Sequence, residues 1–484
     1  MTMRAKRAII ALPALALLGG CFSVGPDYDA PEIKTSQGLS GFGIPAASGV
    51  TNAVDSRIEL SSDELAAWWK SFDDEKLTVL IDRAFEGNLS LRGAAQRVRE
   101  ARALLAVARG KWEPTLDADA GYNRSQTSAN GTSGRRMTRN IFTGGFDASW
   151  EIDVFGGVRR NVEAAEADLA AEEAGLDNSW VSLAADVGMN YINLRTTQQR
   201  LRVARGNLRL QQETYDILDS RAKAGIGDDL AVKQALYNVE TTRATIPNLL
   251  AKEEAYLNSL AVLTGSEPGT LHRELADGTL HDPLQPRSLT GIDAELLRRR
   301  PDIRKAEREL AAQSARIGIA KSDLYPRFFL SGSIGLESLK SSDFFQKNAV
   351  AWDFGPSVSW KLFSGNSVRA NIDVQDARYE AALAHYEETL LSAHAEIRDA
   401  LFSYIQEFNR YSALKRGVAA ASDAVNIAND LYRSGLRDFN NVLDAQRSLL
   451  ALEEAYTQSQ GDIAVQLINL YRSLGGGWSS WAKK

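Results

Sequence analysis

Four histidines, one cysteine and two charged turns are the places where this 484-residue chain could do chemistry. The histidines fall into two pairs nine residues apart, His272 with His281 and His385 with His394. That spacing fits neither the HExxH zinc pattern, which sets two imidazoles one helical turn apart, nor a proton relay. Each reads as a solvated side chain. The stretch "GIGDD" from Gly225 lacks the third glycine of a dinucleotide loop, and no short strand–helix unit surrounds it. It reads instead as a tight helix–helix turn. Polar and charged residues crowd this turn (Asp228, Asp229, Gln234) and a second one (Arg433, Arg437, Asp438, Asn441, Asp444). For any one of them, ordinary solvated turn chemistry is a sufficient account. With no nucleophile–base pair and no ligand set, neither an enzyme nor a bound cofactor is expected.

Cys21 is the only cysteine and cannot close an internal disulfide. Arg4, Lys6 and Arg7 precede an apolar stretch, Ala8 to Leu18, that is interrupted by Pro13. The stretch is too short to span a bilayer comfortably and reads as a secretory signal, residues 1–20. Its ending, Leu18-Gly19-Gly20-Cys21, resembles a bacterial lipobox. That resemblance implies cleavage before Cys21, diacylglycerol on its sulfur and acylation (palmitate) of the new amino group. Acyl chains add ~0.8 kcal/mol per buried methylene, and two or more give lasting attachment. Phe22, rather than aspartate, follows the cysteine, which in lipoproteins permits transport to the outer membrane. Loss of the three basic signal residues moves the formal net charge from −6 to −9, against a nucleic-acid partner. No later run approaches 18 apolar residues, so any membrane crossing must use strands.

The chain is written twice. "GGFDASW" from Gly144 sits against "FGPSVSW" from Phe354, and "VRRNVEAAEA" from Val158 against "VRANIDVQDA" from Val368, both at an offset of 210 residues. Gly225 matches Gly435 and Ala235 matches Ala445 at the same offset, while Pro114 pairs with Pro326. A tandem internal repeat of this kind is the first thing that decides a fold. Within the first copy, Val162, Leu169, Leu176 and Leu183 recur every seven residues; after one step of eleven, Leu194, Leu201, Leu208 and Tyr215 resume. The second copy answers with Ile372, Tyr379 and Tyr386, then Leu390, Ile397, Tyr404, Tyr411, Val418, Val425 and Tyr432. Heptads sustained without proline predict long coiled-coil helices, with the inserted four residues relaxing the supercoil.

Four shorter segments alternate instead. In Phe142 to Val154 and Trp352 to Leu362 the aromatic and aliphatic residues take every second place, against aspartate, serine and threonine. Period two with one apolar face predicts strands at about 142–154 and 352–362, with partners at about 115–124 and 328–336 across polar hairpin loops. Their length suits a tilted membrane strand. Four strands cannot close a barrel, and an open edge in lipid leaves backbone groups unpaired. Two readings stay open on the residues alone: a soluble sheet packed on the helices, or several chains that pool their strands.

"LLRRRPDIRKAERELAAQSARIGIAKSDLYPRFFLSGSIG" (Leu296 to Gly335), "LYRSGLRDFNNVLDAQRSLL" (Leu431 to Leu450), "VGPDYDAPE" and "WWKSFDDEKLTVLIDRAFEGNLSLRGAAQRV" resemble the outer membrane factor family, of which TolC and the lipidated NodT-type efflux proteins are members. The resemblance implies an α+β membrane protein: a homotrimer whose four strands per chain close one twelve-stranded barrel, continued by an α-helical barrel in the periplasm. It also implies an equatorial belt, assigned to 21–60, 264–301 and the tail 471–484, around the two repeats 61–263 and 302–470. The function implied is an exit duct in the outer membrane for efflux of small toxic compounds. The same family also serves type I protein secretion, and a structural coiled-coil lipoprotein is the rival from another class; a pure spacer has no use for a lipid-facing sheet.

The turns at Gly225 and Gly435 are then the ends farthest from the membrane. Under threefold symmetry each lumen-facing carboxylate becomes a ring of three, which favours cations and can pair with arginine to hold a gate shut. Arg433, Arg437, Asp438, Asn441, Asp444, Asp228 and Asp229 are the gate candidates. Relatives often carry an acidic pair three apart where this chain has Asn441 and Asp444, so the ring holds less charge here. The resemblance further implies that the turns dock a periplasmic adaptor linked to an inner-membrane pump of the resistance-nodulation-division type. Gly225, Gly435 and Leu436 are the expected contacts.

Overall fold

The absence of proline from Thr115 to Ile246 lets one helix run far. In the computed structural model it does so. The structure describes residues 23–31, 62–131, 134–276, 278–280 and 298–478. Cys21, the signal, His281, most of the 21–60 segment and much of the 264–301 connector lie outside the described residues. The described helices are α1 (Ser62–Ala66), α2 (Glu75–Gly87), α3 (Leu89–Gly110), α4 (Gly157–Lys223), α5 (Asp229–Leu263), α6 (His272–Leu275), α7 (Pro301–Ser322), α8 (Ser367–Arg433) and α9 (Phe439–Ser473). Strands β1 (Thr115–Gln126) and β2 (Thr138–Ile152) follow α3, and β3 (Arg327–Ser338) and β4 (Val350–Ser359) follow α7.

Helices α4 and α8 are each 67 residues long, and α5 and α9 each 35. At 1.5 Å per residue, the longer pair extends about 100 Å each. Each heptad position is buried or half-buried, from Val162 to Tyr215 in α4 and from Ile372 to Tyr432 in α8. Pro247 sits inside α5, where its missing N–H removes one ladder bond.

The chain divides into two compact units. The first gathers Arg97–Glu173 and Lys305–Glu387 with the N-terminal residues; the second gathers Ala174–Arg304, Glu388–Lys484 and Ile33–Gln96. The first unit carries one antiparallel sheet in the order β1-β2-β3-β4. Leu116 lies opposite Ala148, Tyr122 opposite Phe142, Phe146 opposite Ile334 and Ile334 opposite Trp352. Pairing in this register collects the apolar residues of all four strands on one face, because side chains alternate with period two. The other face collects Asp117, Asp119, Asp147 and Asp353. Among the described residues no helix covers the apolar face: Leu116, Phe146, Ile334, Trp352 and Phe354 are all more than half exposed.

Two strand ends fall short of the alternating pattern. The side chain of Asp153 accepts the backbone N–H of Arg159 (2.8 Å) at the start of α4, so Asp153 and Val154 belong to the turn rather than to β2. Trp360 donates its indole N–H to the Leu324 carbonyl (3.0 Å), and the chain turns back through Asn366 at φ +66°. Ladder pairing ends at Ser359, so Trp360 to Leu362 lie beyond β4.

The second unit has the larger core. Trp68, Trp69, Leu77, Leu80, Ile81 and Phe85 close over Leu183, Val187, Tyr191 and Leu194 of α4, with Leu257 and Leu260 of α5 and Ile468 of α9. Asp74 caps α2 by accepting the Leu77 N–H and also accepts the Tyr191 hydroxyl at 2.7 Å.

Candidate functional site at the helix turns

Each of the two 67-residue helices is followed, two residues past its end, by a glycine at which the chain reverses. At the end of α4, Gly225 N–H donates to Ala222 O (2.9 Å) and Ile226 N–H to Arg221 O (3.0 Å). At the end of α8, Gly435 N–H donates to Tyr432 O (3.0 Å) and Leu436 N–H to Leu431 O (2.9 Å). This paired pattern needs a left-handed residue at its corner, and the two glycines have φ of +77° and +72°. A Cβ on either would meet nothing within 4 Å. The glycines are thus required by backbone conformation, and the space beside them is open.

Behind the turns a small apolar cluster ties four helix ends together: Leu218 of α4, Val232 and Ala235 of α5, Ala428 of α8, and Phe439, Val442 and Leu443 of α9. Tyr432 packs edge-on against Phe439 at 5.2 Å, and Arg221 donates to the Tyr432 hydroxyl at 3.3 Å. The outer rim is aliphatic, with Ile226 and Leu436 each 70% exposed and Leu230 close to that. Ile226 and Leu230 were not among the sequence candidates, although Ile226 stands 210 residues before Leu436 and could have been found from the repeat.

The charged candidates take different roles. Asp228 caps α5 by accepting the Leu230 N–H at 2.9 Å, and Asp229 lies exposed in the first turn. Asp438 occupies the equivalent cap of α9 without a side-chain bond, while its carbonyl accepts from the Asn441 side chain at 3.2 Å. Arg433 and Arg437 are exposed. Among the described residues no ion pair joins Asp228 or Asp229 to either arginine. The partner of Asp444 is Arg447, one helical turn on at 3.8 Å. Arg447 also donates to Asn238 Oδ1 across the helix pair (2.8 Å) and lies over the Tyr237 ring at 5.4 Å. The i,i+3 spacing of Asp444 and Arg447 was legible beforehand; the reach to Asn238 and Tyr237, 209 residues away from Asn238, was not. Asp228→Ala is expected to cost about 1 kcal/mol, with Asp228→Asn near wild type, since either capping side chain accepts the same N–H. Thermal unfolding in detergent reads the difference.

His272 is exposed, as the solvated reading expects, but it has a partner. His272 Nε2 lies 2.6 Å from Glu254, which raises its pKa above the usual imidazole value and lowers that of Glu254. His394 is half-buried on α8. Among the described residues no group of three or more His, Cys, Asp or Glu side chains is placed to hold a metal ion.

The model of the outer membrane efflux protein family matches residues 80–266 and 294–476. The chain belongs to this family. It is similar to nodulation protein T of Rhizobium leguminosarum bv. trifolii, at 30% identity covering 96% of this chain and 97% of that one. Outer membrane protein OprJ of Pseudomonas aeruginosa is 30% identical, with 97% and 96% covered. The solved outer-membrane channel OprN superposes with a TM-score of 0.83 at 35% identity, covering 94% of this chain and 99% of that one. As a member, the chain is an outer membrane efflux protein that serves as the exit channel of an efflux system.

Proposed function

We propose that three copies of this outer membrane efflux protein pool their strands into one closed twelve-stranded barrel, which long helices from a tandem repeat extend into the periplasm. The observation that carries this reading is the sheet itself. It has four strands, β1 and β4 expose unpaired edges, and its apolar face is uncovered. In lipid each unpaired backbone group costs several kcal/mol, and closure with neighbouring copies removes both edges at once. The polar face supports the same conclusion. Asp117 lies directly opposite Asp147, and Asp353 joins the same row through Ser333. Like charges set opposite one another are unfavourable, and a water-filled lumen is the surrounding that tolerates them.

The conduit is passive, with energy supplied by an inner-membrane pump of the resistance-nodulation-division type through a periplasmic adaptor. Acylation of Cys21 tethers each subunit to the outer membrane. The adaptor docks on the rim formed by Gly225, Ile226, Gly435 and Leu436, where side chains are missing or aliphatic. Asp444 with Arg447, and the exposed Arg433, Arg437, Asp438, Asn441, Asp228 and Asp229, line the closed constriction.

Cysteines at Ala120 of β1 and Phe354 of β4 test the shared barrel, since the acylated Cys21 sulfur does not react. A scan of such edge pairs with a bis-maleimide reagent is expected to give covalent dimers and trimers. Monomer bands throughout the scan would sink the reading. At the constriction, Asp444→Ala frees Arg447 and is expected to raise the resting conductance of single trimers; conductance equal to wild type removes Asp444 from the gate.

A further inference from the structure

Arg160 is a cation buried to 4% side-chain exposure near the start of α4, beside the foot of the sheet. Burial of a guanidinium is costly unless its donors are satisfied. Its donors go to the segment that follows Cys21 in sequence. Nε donates to the Val24 carbonyl (3.3 Å), and Nη2 donates to the Gly25 carbonyl (3.3 Å) and to Asp27 (2.7 Å). Nη1 donates to Glu163, one turn on, at 2.7 Å. Val24 N–H in turn donates to the Phe155 carbonyl at 3.1 Å, just past β2.

Three glycines make room for this contact. Gly25 has φ +104°, and a Cβ there would sit 2.5 Å from Gly318 Cα. A Cβ on Gly318 would lie 2.8 Å from Arg160 Cγ, and one on Gly156 would lie 2.9 Å from Ser23 Cα. The repeat isolates the device. At the 210-residue offset Arg160 is matched by Ala370, which is exposed. With the shift of 212 set by Pro114 and Pro326, Gly318 is matched by Ala106. Only one copy has the residues to receive the N-terminal segment.

The same end of the sheet carries an aromatic belt. Phe155 stacks on Tyr325 at 4.7 Å and lies 6.4 Å from Phe328, while Trp150 donates to the Trp112 carbonyl at 2.8 Å. Girdles of aromatic residues mark the membrane–water interface of strand-built membrane proteins. In sequence, Cys21 stands two residues before Ser23.

We propose that Arg160 is a positioning residue that latches the segment after the lipid anchor onto the foot of β2, so that acyl chains and aromatic belt enter the membrane at one level. The latch thereby makes the anchor productive for insertion of the sheet into an acyl-lipid leaflet. This rests on the acylation of Cys21 proposed above, which labelled-palmitate uptake tests separately.

The test uses the full chain expressed in its membrane. In Arg160→Met, palmitate uptake is expected to persist while hydrogen exchange across residues 24–28 quickens by at least about tenfold, as loss of charge-assisted bonds implies. Arg160→Lys, which keeps the charge but not the fork, falls between. Gly25→Ala, which leaves α4 untouched, should release the segment as Arg160→Met does. For assembly, the yield of detergent-resistant oligomer should drop alike in Arg160→Met and Cys21→Ser, and the double variant should lose no more than either, because both act through one anchor. Unchanged exchange in both Arg160→Met and Gly25→Ala, or additive losses of assembly, would overturn the latch. No palmitate uptake in the parent protein overturns the acylation reading, and the exchange result still decides whether Arg160 holds the segment.

Discussion

Trp68→Ala is expected to destabilise the protein by about 3–5 kcal/mol, the range for removing a fully enclosed aromatic from a core. Trp68 is 1% exposed. Its ring stacks on Tyr471 at 5.7 Å and 13° between planes, and meets Trp69 and Phe72 edge-on at 5.7 and 5.9 Å. The fit extends to backbone: a Cβ on Gly188 of α4 would lie 2.7 Å from the tip of the indole. Truncation therefore opens a void bounded by α4, α9 and the Trp68–Phe72 turn, which rigid helices cannot collapse. Trp68→Phe, which keeps most of the contact area, should cost less than half as much. Guanidinium unfolding in detergent measures both, and a loss below about 1 kcal/mol for alanine would show that the site relaxes.

Arg300→Ala is the second large effect, again about 3–5 kcal/mol, because a buried charge network loses its centre. The guanidinium is 7% exposed and stands just before α7. It donates to Asp302 in a fork at 3.1 and 2.7 Å, to Glu396 of α8 at 2.7 Å, and to the Ser473 carbonyl at the end of α9 at 2.7 Å. Burial would lower its pKa, but the bonds from Asp302 and Glu396 outweigh that and hold the group charged. One side chain thus joins the start of α7, the middle of α8 and the end of α9 around a polar cavity of about 510 Å³ that Asp399 and Arg472 also line. Arg300→Lys keeps the charge but cannot fork, so it should recover only part of the loss. Equal stability of the lysine and wild-type proteins would show that the bidentate geometry is dispensable.

The parts of the molecule that were legible in sequence share one property: their signal is local and periodic. Val162 to Tyr215 repeat on a helical period, and their burial follows. Phe142 to Ile152 repeat on a strand period, and their register follows. Gly225 and Gly435 mark corners where only glycine turns freely. The arginines were not legible in the same way. Arg160, Arg300 and Arg447 look like any surface cation in the linear chain, and become structural through partners 133, 96 and 209 residues away. Which stretches converge on a charge is settled by packing, not by neighbours in sequence. Asp153 and Trp360 carry a related lesson. Both continue the alternation on paper, yet both lie past the last paired residues of their strands, Ile152 and Ser359.

The mass of the purified full-length protein in mild detergent, recorded beside its conductance in planar lipid, tests the shared barrel most directly. A threefold assembly that opens discrete channels is the expected result. A monomeric particle that leaves the bilayer sealed would contradict it.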